Sequence, residues 1–319
     1  MKPSLLVLLL FIPFLLIADE SVSDALRLIE GKNYDAARKI LEAIIVRDGS
    51  DAGAHYHLGR ILANPYNEYD EAEKHLEKAV ELVDGNAEYH FTLGNFYGGQ
   101  AQRAGIFSKL SYAGNVRTEF LRAVELDQHT VRYRIALMSY YLMAPGIAGG
   151  SVAKAKEQAE EISKRDPYEG HLALAQIAAY EKEPETAEQA YRSAIKADPS
   201  KWRAHHMLGY LLLEQKRIDE AVAEFREYVR LAPADANSHD SLGDGLLAKG
   251  DVNQALQSYL RAATVNPQWP SPLFNVARCY ERIGQKGEAL QYYRKFLAMN
   301  PQGQNAKEAE QKVQELTGR

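Results

Sequence analysis

The groups in this 319-residue chain that could do chemistry are nine histidines, one cysteine and many closely spaced carboxylates. Cys279 is the single cysteine, so no intramolecular disulfide forms and no thiolate cluster can hold a metal. It sits beside Tyr280 on a helical stretch with no base near it in sequence, which is the setting of a packing thiol rather than a nucleophile. His55 and His57 are two apart and diverge on a helix, and the adjacent His205 and His206 diverge as well; no second pair stands at ligand spacing. Carboxylates such as Glu73 and Glu77 near Lys78, or Glu220 and Glu224, fall on solvated helix faces. The glycine-rich run from Pro145 to Ser151 precedes a helix whose amides could take an anion, with Ser151 as the cap. It lacks the Gly-Lys-Ser/Thr ending of a nucleotide loop, and a longer turn between paired helices is the simpler reading. No Ser-His-Asp or Cys-His arrangement is assembled. What remains is noncovalent recognition, and no catalytic residue, metal or cofactor is expected.

The elements that must position such a binding surface show in the spacing. Pro199, Pro233, Pro267 and Pro301 fall at steps of 34 residues. Leu208-Gly209 and Leu242-Gly243 recur in one phase, Ala221, Ala255 and Ala289 in a second, and Phe225, Tyr259 and Tyr293 in a third. Glycine and alanine let two helices approach closely, and the aromatic ring one turn later fills the remaining gap. Proline ends each second helix because it lacks an amide hydrogen and disfavours the helical conformation before it. This spacing resembles the tetratricopeptide repeat. The resemblance implies an all-α fold: a right-handed superhelical solenoid of antiparallel helix pairs, about eight repeats long, with a C-terminal capping helix.

The repeats are placed at about 19–51, 52–85, 86–128, 131–167, 168–199, 202–233, 236–267 and 270–301, with a cap over 302–319. In the cap Ala306, Ala309, Val313 and Leu316 share one stripe. The first repeat is degenerate and suits a terminal cap. The third and fourth depart from the family length, through Asn95–Asn115 and through Ala144–Gly150, and these two odd segments could meet in space. The first reads as a pair of lengthened helices with an exposed apolar tip; the alternative is a projection that docks a partner, because Ile106, Phe107, Leu110 and Tyr112 would be costly to leave in water. An enzyme seated in 95–151 would need an acid, base or nucleophile that the segment does not present.

Composition agrees with a folded repeat protein: 46% hydrophobic, 25% charged and 19 tyrosines. A formal net charge of −5 provides no general basic field, so nucleic acid is not an expected partner. Residues 1–18 read as an export signal, with Lys2 ahead of the apolar run Leu5–Ile17 and Ala18 at the cleavage point. That run, preceded by Pro3 and interrupted by Pro13, is shorter than the roughly 20 residues of a membrane span. The expectation is an exported, periplasmic protein, with the alternative of an uncleaved segment anchoring it to the inner membrane. The solenoid then occupies 19–319 as one continuous domain.

In this family the first helices of successive hairpins line a concave surface, and the residues three before and one after their small residue point into it. Carried over, that selects Tyr56 and Arg60, Phe91 and Asn95, Ile135 and Ser139, Leu172 and Gln176, His206 and Tyr210, Asp240 and Asp244, Phe274 and Arg278. Aromatics there supply contact area while Arg, Asn and Gln reach backbone or carboxylate groups. One branch of the family grips a chaperone's terminal carboxylate with Lys and Asn; the matching places here hold Tyr56, His206, Asp240 and Phe274, so that partner is not expected. The resemblance implies a non-catalytic protein- or peptide-binding scaffold that assembles a cell-envelope complex through the groove and the Ile106–Phe107 tip. The alternative is a carbohydrate- or lipid-binding accessory protein of the envelope, using Tyr and Phe of the groove.

Overall fold

A computed structural model describes residues 21–300, 302 and 304–318, and their side chains except at 106, 107 and 304. The expected export leader, 1–18, lies outside the described residues. Every regular element among the described residues is helical. The contacts group into two compact units that divide between Gly150 and Ser151, inside the fourth repeat. The first unit contains α1 (Val22–Glu30), α2 (Tyr34–Arg47), α3 (Ala52–Ile61), α4 (Tyr69–Leu82), α5 (Ala87–Arg103), α6 (Ile106–Leu126) and α7 (Val131–Met143). The second contains α8 (Val152–Ser163), α9 (Pro167–Tyr180), α10 (Pro184–Ala197), α11 (Arg203–Glu214), α12 (Ile218–Leu231), α13 (Ala236–Lys249), α14 (Val252–Val265), α15 (Ser271–Arg282), α16 (Lys286–Met299) and α17 (Gln304–Thr317).

Within each unit a helix packs chiefly on its sequence neighbour, and first helices of successive hairpins also touch, as α1 does α3 and α11 does α13. The starts are set by short polar side chains that accept from orphan amides of the first turn: Ser21, Asn33, Asp51, Asn86, Asp166, Asp235 and Asp251 all do so. At the far end of the second unit α17 covers the last hairpin, with Ala306 and Ala309 buried against Phe274, Tyr293 and Phe296. A solenoid must end in such a helix, because an uncovered last hairpin would leave its apolar face in water.

The close approach is severe in the hairpins whose first helix carries glycine at the contact. A Cβ added at Gly209 would lie 2.4 Å from Phe225 Cε1, at Gly243 2.5 Å from Tyr259 Cε1, and at Gly94 2.6 Å from Phe120. The facing alanines, Ala221 and Ala255, have no exposed surface. Glycine thus creates the slot, alanine admits the helix, and the aromatic ring closes it. The third hairpin keeps this contact yet lengthens beyond it: α5 has 17 residues and α6 has 21, where α12 and α14 have 14.

The turn inside the hairpin has a fixed form in five repeats. Gly250 and Gly284 adopt φ of 89° and 83°, and Lys32, Lys182 and Lys216 occupy the equivalent place at φ of 58°, 61° and 60°. A side chain in that left-handed region costs roughly 1–2 kcal/mol, which glycine avoids.

Two outcomes follow from this packing. Gly209→Ala should destabilise the chain by about 1–3 kcal/mol through overpacking, and the added cost should shrink in a Phe225→Ala background, where the colliding ring is gone. A double-mutant cycle in urea reads the coupling directly; additive losses would contradict the slot. Lys216→Gly should leave stability unchanged or raise it by up to about 1 kcal/mol, since relief of the left-handed side chain exceeds the extra unfolded-chain entropy of glycine. A clear drop in midpoint would mean that the Lys216 side chain does more than occupy the turn.

Candidate functional site

In the first unit the first helices α3 and α5, with the turn after α3, enclose a pocket of about 380 Å³. Arg60 and His57 come from α3, Thr92, Asn95, Phe96 and Arg103 from α5, and Tyr69 and Leu76 from α4. No Asp or Glu is among the lining residues. Arg60 reaches over the Tyr56 ring at 5.3 Å and donates to His57 Nδ1 at 3.5 Å. Burial first, and the Arg60 charge second, pull the His57 pKa down to about 4, so the ring is neutral at pH 7 and serves as an acceptor. Arg103 stacks 4.2 Å from the centre of the Tyr69 ring and donates to the Gln100 amide oxygen at 3.4 Å. The Asn95 amide donates to the Phe91 carbonyl at 2.9 Å, which fixes its orientation toward the pocket it lines. Two guanidinium groups held by aromatic faces and by one neutral acceptor each, rather than by carboxylates, keep their remaining donors for a carboxylate or phosphate.

The expected groove residues divide by what they touch. Arg60 and Asn95 line this one pocket. Tyr56 is only 5% exposed; its ring stacks on Tyr89 at 4.5 Å and its hydroxyl meets Thr92 Oγ1 at 3.0 Å, so it fastens α3 to α5 instead of offering contact area. Phe91 turns away and packs on Tyr133 at 5.0 Å beneath Arg132. Ile135 and Ser139 are half-buried on α7. The side chains of Ile106 and Phe107 lie outside the described residues; of their neighbours, Leu110 is 39% exposed and the Tyr112 hydroxyl donates to Glu73 at 3.3 Å.

In the second unit His206, Tyr210, Asp240 and Asp244 come together in one polar ladder between α11, α13 and α15. The Tyr210 hydroxyl donates to Asp244 at 2.9 Å, Tyr259 donates to the other Asp244 oxygen at 2.7 Å, and the Asn237 amide meets His206 Nε2 at 3.3 Å. Asp240, 7% exposed, accepts from Asn275 at 3.5 Å. The side chains of this face bind the next first helix. Leu172 and Phe274 are buried likewise, whereas Gln176 is exposed. Arg278 stands apart beside Glu308 and Lys312 of the cap, over Phe274 at 5.8 Å.

Two further findings were not read from the sequence. Histidine recurs four residues before the small residue, at 55, 90, 171, 205 and 239. Three of these reach a carbonyl six residues back: His55 to Gly49 at 3.3 Å, His90 to Asp84 at 2.8 Å and His239 to Pro233 at 3.0 Å. The other ring nitrogen meets the second helix, at His75, Glu119 and Glu224 for His55, His90 and His205. Burial lowers the His90 pKa, and the bonds to Glu119 and the Asp84 carbonyl outweigh it, so the net shift is upward. The recurrence was visible in the spacing; the i−6 carbonyl was not. The second concerns Pro145–Ser151, which forms the longer turn preferred above over an anion site. The amides of Ala148, Gly149 and Gly150 donate to the carbonyls of Pro145 and Gly146, leaving none of them for an anion, while Ser151 does cap α8.

Asp240 generates a pH dependence. Burial, then repulsion from Asp244, raises its pKa from 3.8 to about 7. The folded state holds the proton more tightly than the unfolded one, so the stability is fully present below about pH 4 and is lost as pH rises through about 7. Asp240→Asn removes the charge and keeps the shape. Thermal melts of the two proteins should diverge from pH 4 to 7, the variant becoming more stable by a few degrees, and run parallel above pH 8; a pH-independent gap would refute the assignment.

A tetratricopeptide repeat model matches residues 25–87, 148–201, 172–236 and 241–304, more than half of the chain. A search of curated proteins by sequence finds no match. Among solved structures, the crystal structure of yeast Tom70 is similar with a TM-score of 0.71 at 14% identity, covering 89% of this chain and 60% of that one. At that identity the likeness shows the fold, and this chain spans 60% of the length of Tom70. The glycine–aromatic hairpins, their capped starts and the matched repeats lead to one conclusion: the chain belongs to the tetratricopeptide repeat family.

Proposed function

We propose that this chain is a non-catalytic scaffold that binds a protein or peptide through carboxylates presented to the first-unit pocket, and that it thereby assembles a complex in the cell envelope. The observation that carries the reading is the convergence of Arg60, Arg103 and the Asn95 amide on one concave pocket with no acidic residue in its lining. A guanidinium beside Tyr56 and another on Tyr69 are already desolvated on one face, so a carboxylate entering between them meets oriented donors at low conformational cost. Phe96 and Leu76 supply the apolar contact that a peptide side chain needs. Placement in the periplasm rests on the charge and apolar pattern of residues 1–18. Membership of a repeat family whose folds commonly bind proteins supports the coarser part of the reading.

The test is an array of nonapeptides made with free and amidated C termini and graded Asp and Glu content, probed with the wild type and with Arg60→Glu/Arg103→Glu. Wild-type retention should rise with peptide carboxylates, and the variant should lose at least tenfold, about 1.4 kcal/mol, with unchanged helicity. Equal retention by both proteins would reject the pocket as the binding site.

A further inference from the structure

The two segments that break the repeat length meet in the first unit. Gly98 and Ala101 of α5, Leu110, Ala113 and Val116 of α6, and Met143, Pro145 and Ile147 after α7 wall a cleft of about 540 Å³. Met143 and Ile147 are 73% and 85% exposed, values that are costly for side chains without a cover. The floor is made of small residues, so carbon can enter deeply between the helices. The polar groups of the wall are already paired: the Tyr140 hydroxyl donates to the Ala148 carbonyl, and the amides of 148–150 close their own turn. The exception is Lys109 on the rim, an exposed cation with no ion pair among the described residues. Close by, Arg117 rests against Gly149, where an added Cβ would lie 2.5 Å from its Nη1.

Charge around the cleft is one-sided. The charged groups seen at the cleft are both cations, Lys109 in its lining and Arg117 against Gly149, and no Asp or Glu is among the lining residues. The occupant must therefore be apolar along its body and anionic at one end. An extended peptide fails the first condition, because its backbone amides and carbonyls would enter a wall that offers them no free partner. A hydrocarbon chain has no such groups, and the volume of about 540 Å³ lies within the range of small-molecule sites.

We propose that this cleft binds a free fatty acid, with the acyl chain between Ala101, Ala113 and Met143 and the carboxylate at Lys109. The site is separate from the Arg60–Arg103 pocket and does not depend on peptide binding there. The head is held by charge and the tail by burial, so the two contributions can be removed independently.

The experiment uses displacement of fluorescent cis-parinarate from the full chain by laurate, with dodecanol as the uncharged control. Saturable one-to-one displacement by laurate is expected, with dodecanol at least tenfold weaker. Ala113→Trp, which fills the cleft, should abolish displacement by both. Lys109→Glu should weaken laurate at least fivefold and leave dodecanol unchanged. Should Ala113→Trp fail to fold, Met143→Ser with Ile147→Ser, at positions too exposed to support the fold, should still weaken both ligands at least fivefold. No saturable binding, equal affinity for laurate and dodecanol, or binding indifferent to these changes would overturn the assignment and leave the cleft to an apolar helix of a protein partner.

Discussion

The contact on which everything else depends is the approach of two helices at a glycine. With no side chain at Gly94, Gly209 or Gly243, the ring of Phe120, Phe225 or Tyr259 lies where a Cβ would be, and this fixes the phase of each helix pair. Once that phase is set, the faces of the first helix are assigned. One face holds the ring, and another, four residues earlier, carries the histidine that reaches back to the turn before the helix. A third turns toward the next first helix. A packed interior admits few alternatives, so an irregular residue must express itself on the remaining surface or in added length.

That ordering explains why the side chains with most recognition chemistry are not evenly spread. In the second unit, Tyr210, Asp240 and Asp244 lie on the expected face, but their hydroxyl and carboxylate groups join α11 to α13 and α15. A carboxylate as buried as Asp240 is a cost at neutral pH rather than a reservoir of binding. In the first unit the same positions release two groups, Arg60 and Asn95, while Tyr56 makes the connection to the next helix through Tyr89 and Thr92. The difference lies in which side chain of each pair satisfies the neighbour.

The lengthened third hairpin has two consequences from one cause. Carrying α5 past the usual end brings Arg103 over Tyr69 on one side. On the other side it exposes Gly98 and Ala101 to the segment after α7, and an apolar cleft opens there. Both places lack carboxylates, in contrast with second helices such as α12, whose Glu220 and Glu224 pair with arginine or histidine. Charge is therefore segregated locally although the whole chain is mildly acidic.

The sequence by itself determined the helical class, the hairpin unit and its phase, because these follow from local patterns: a Leu-Gly pair, an alanine twelve residues later, a ring four beyond, and a proline that stops the second helix. It also marked residues 95–115 and 144–150 as departures from the period, and it placed Arg60 and Asn95 on the surface that lines the first-unit pocket. Only the tertiary structure decided that Tyr56 and Asp240 are buried, that Arg103 and His57 complete the pocket, and that the two irregular segments share a cleft. The physical reason is that helical periodicity fixes the direction of a side chain relative to its own axis. Whether that direction meets solvent, a neighbouring ring or another repeat depends on partners more than 30 residues away, such as Thr92 for Tyr56 and Asn275 for Asp240, and nothing in the local pattern specifies them.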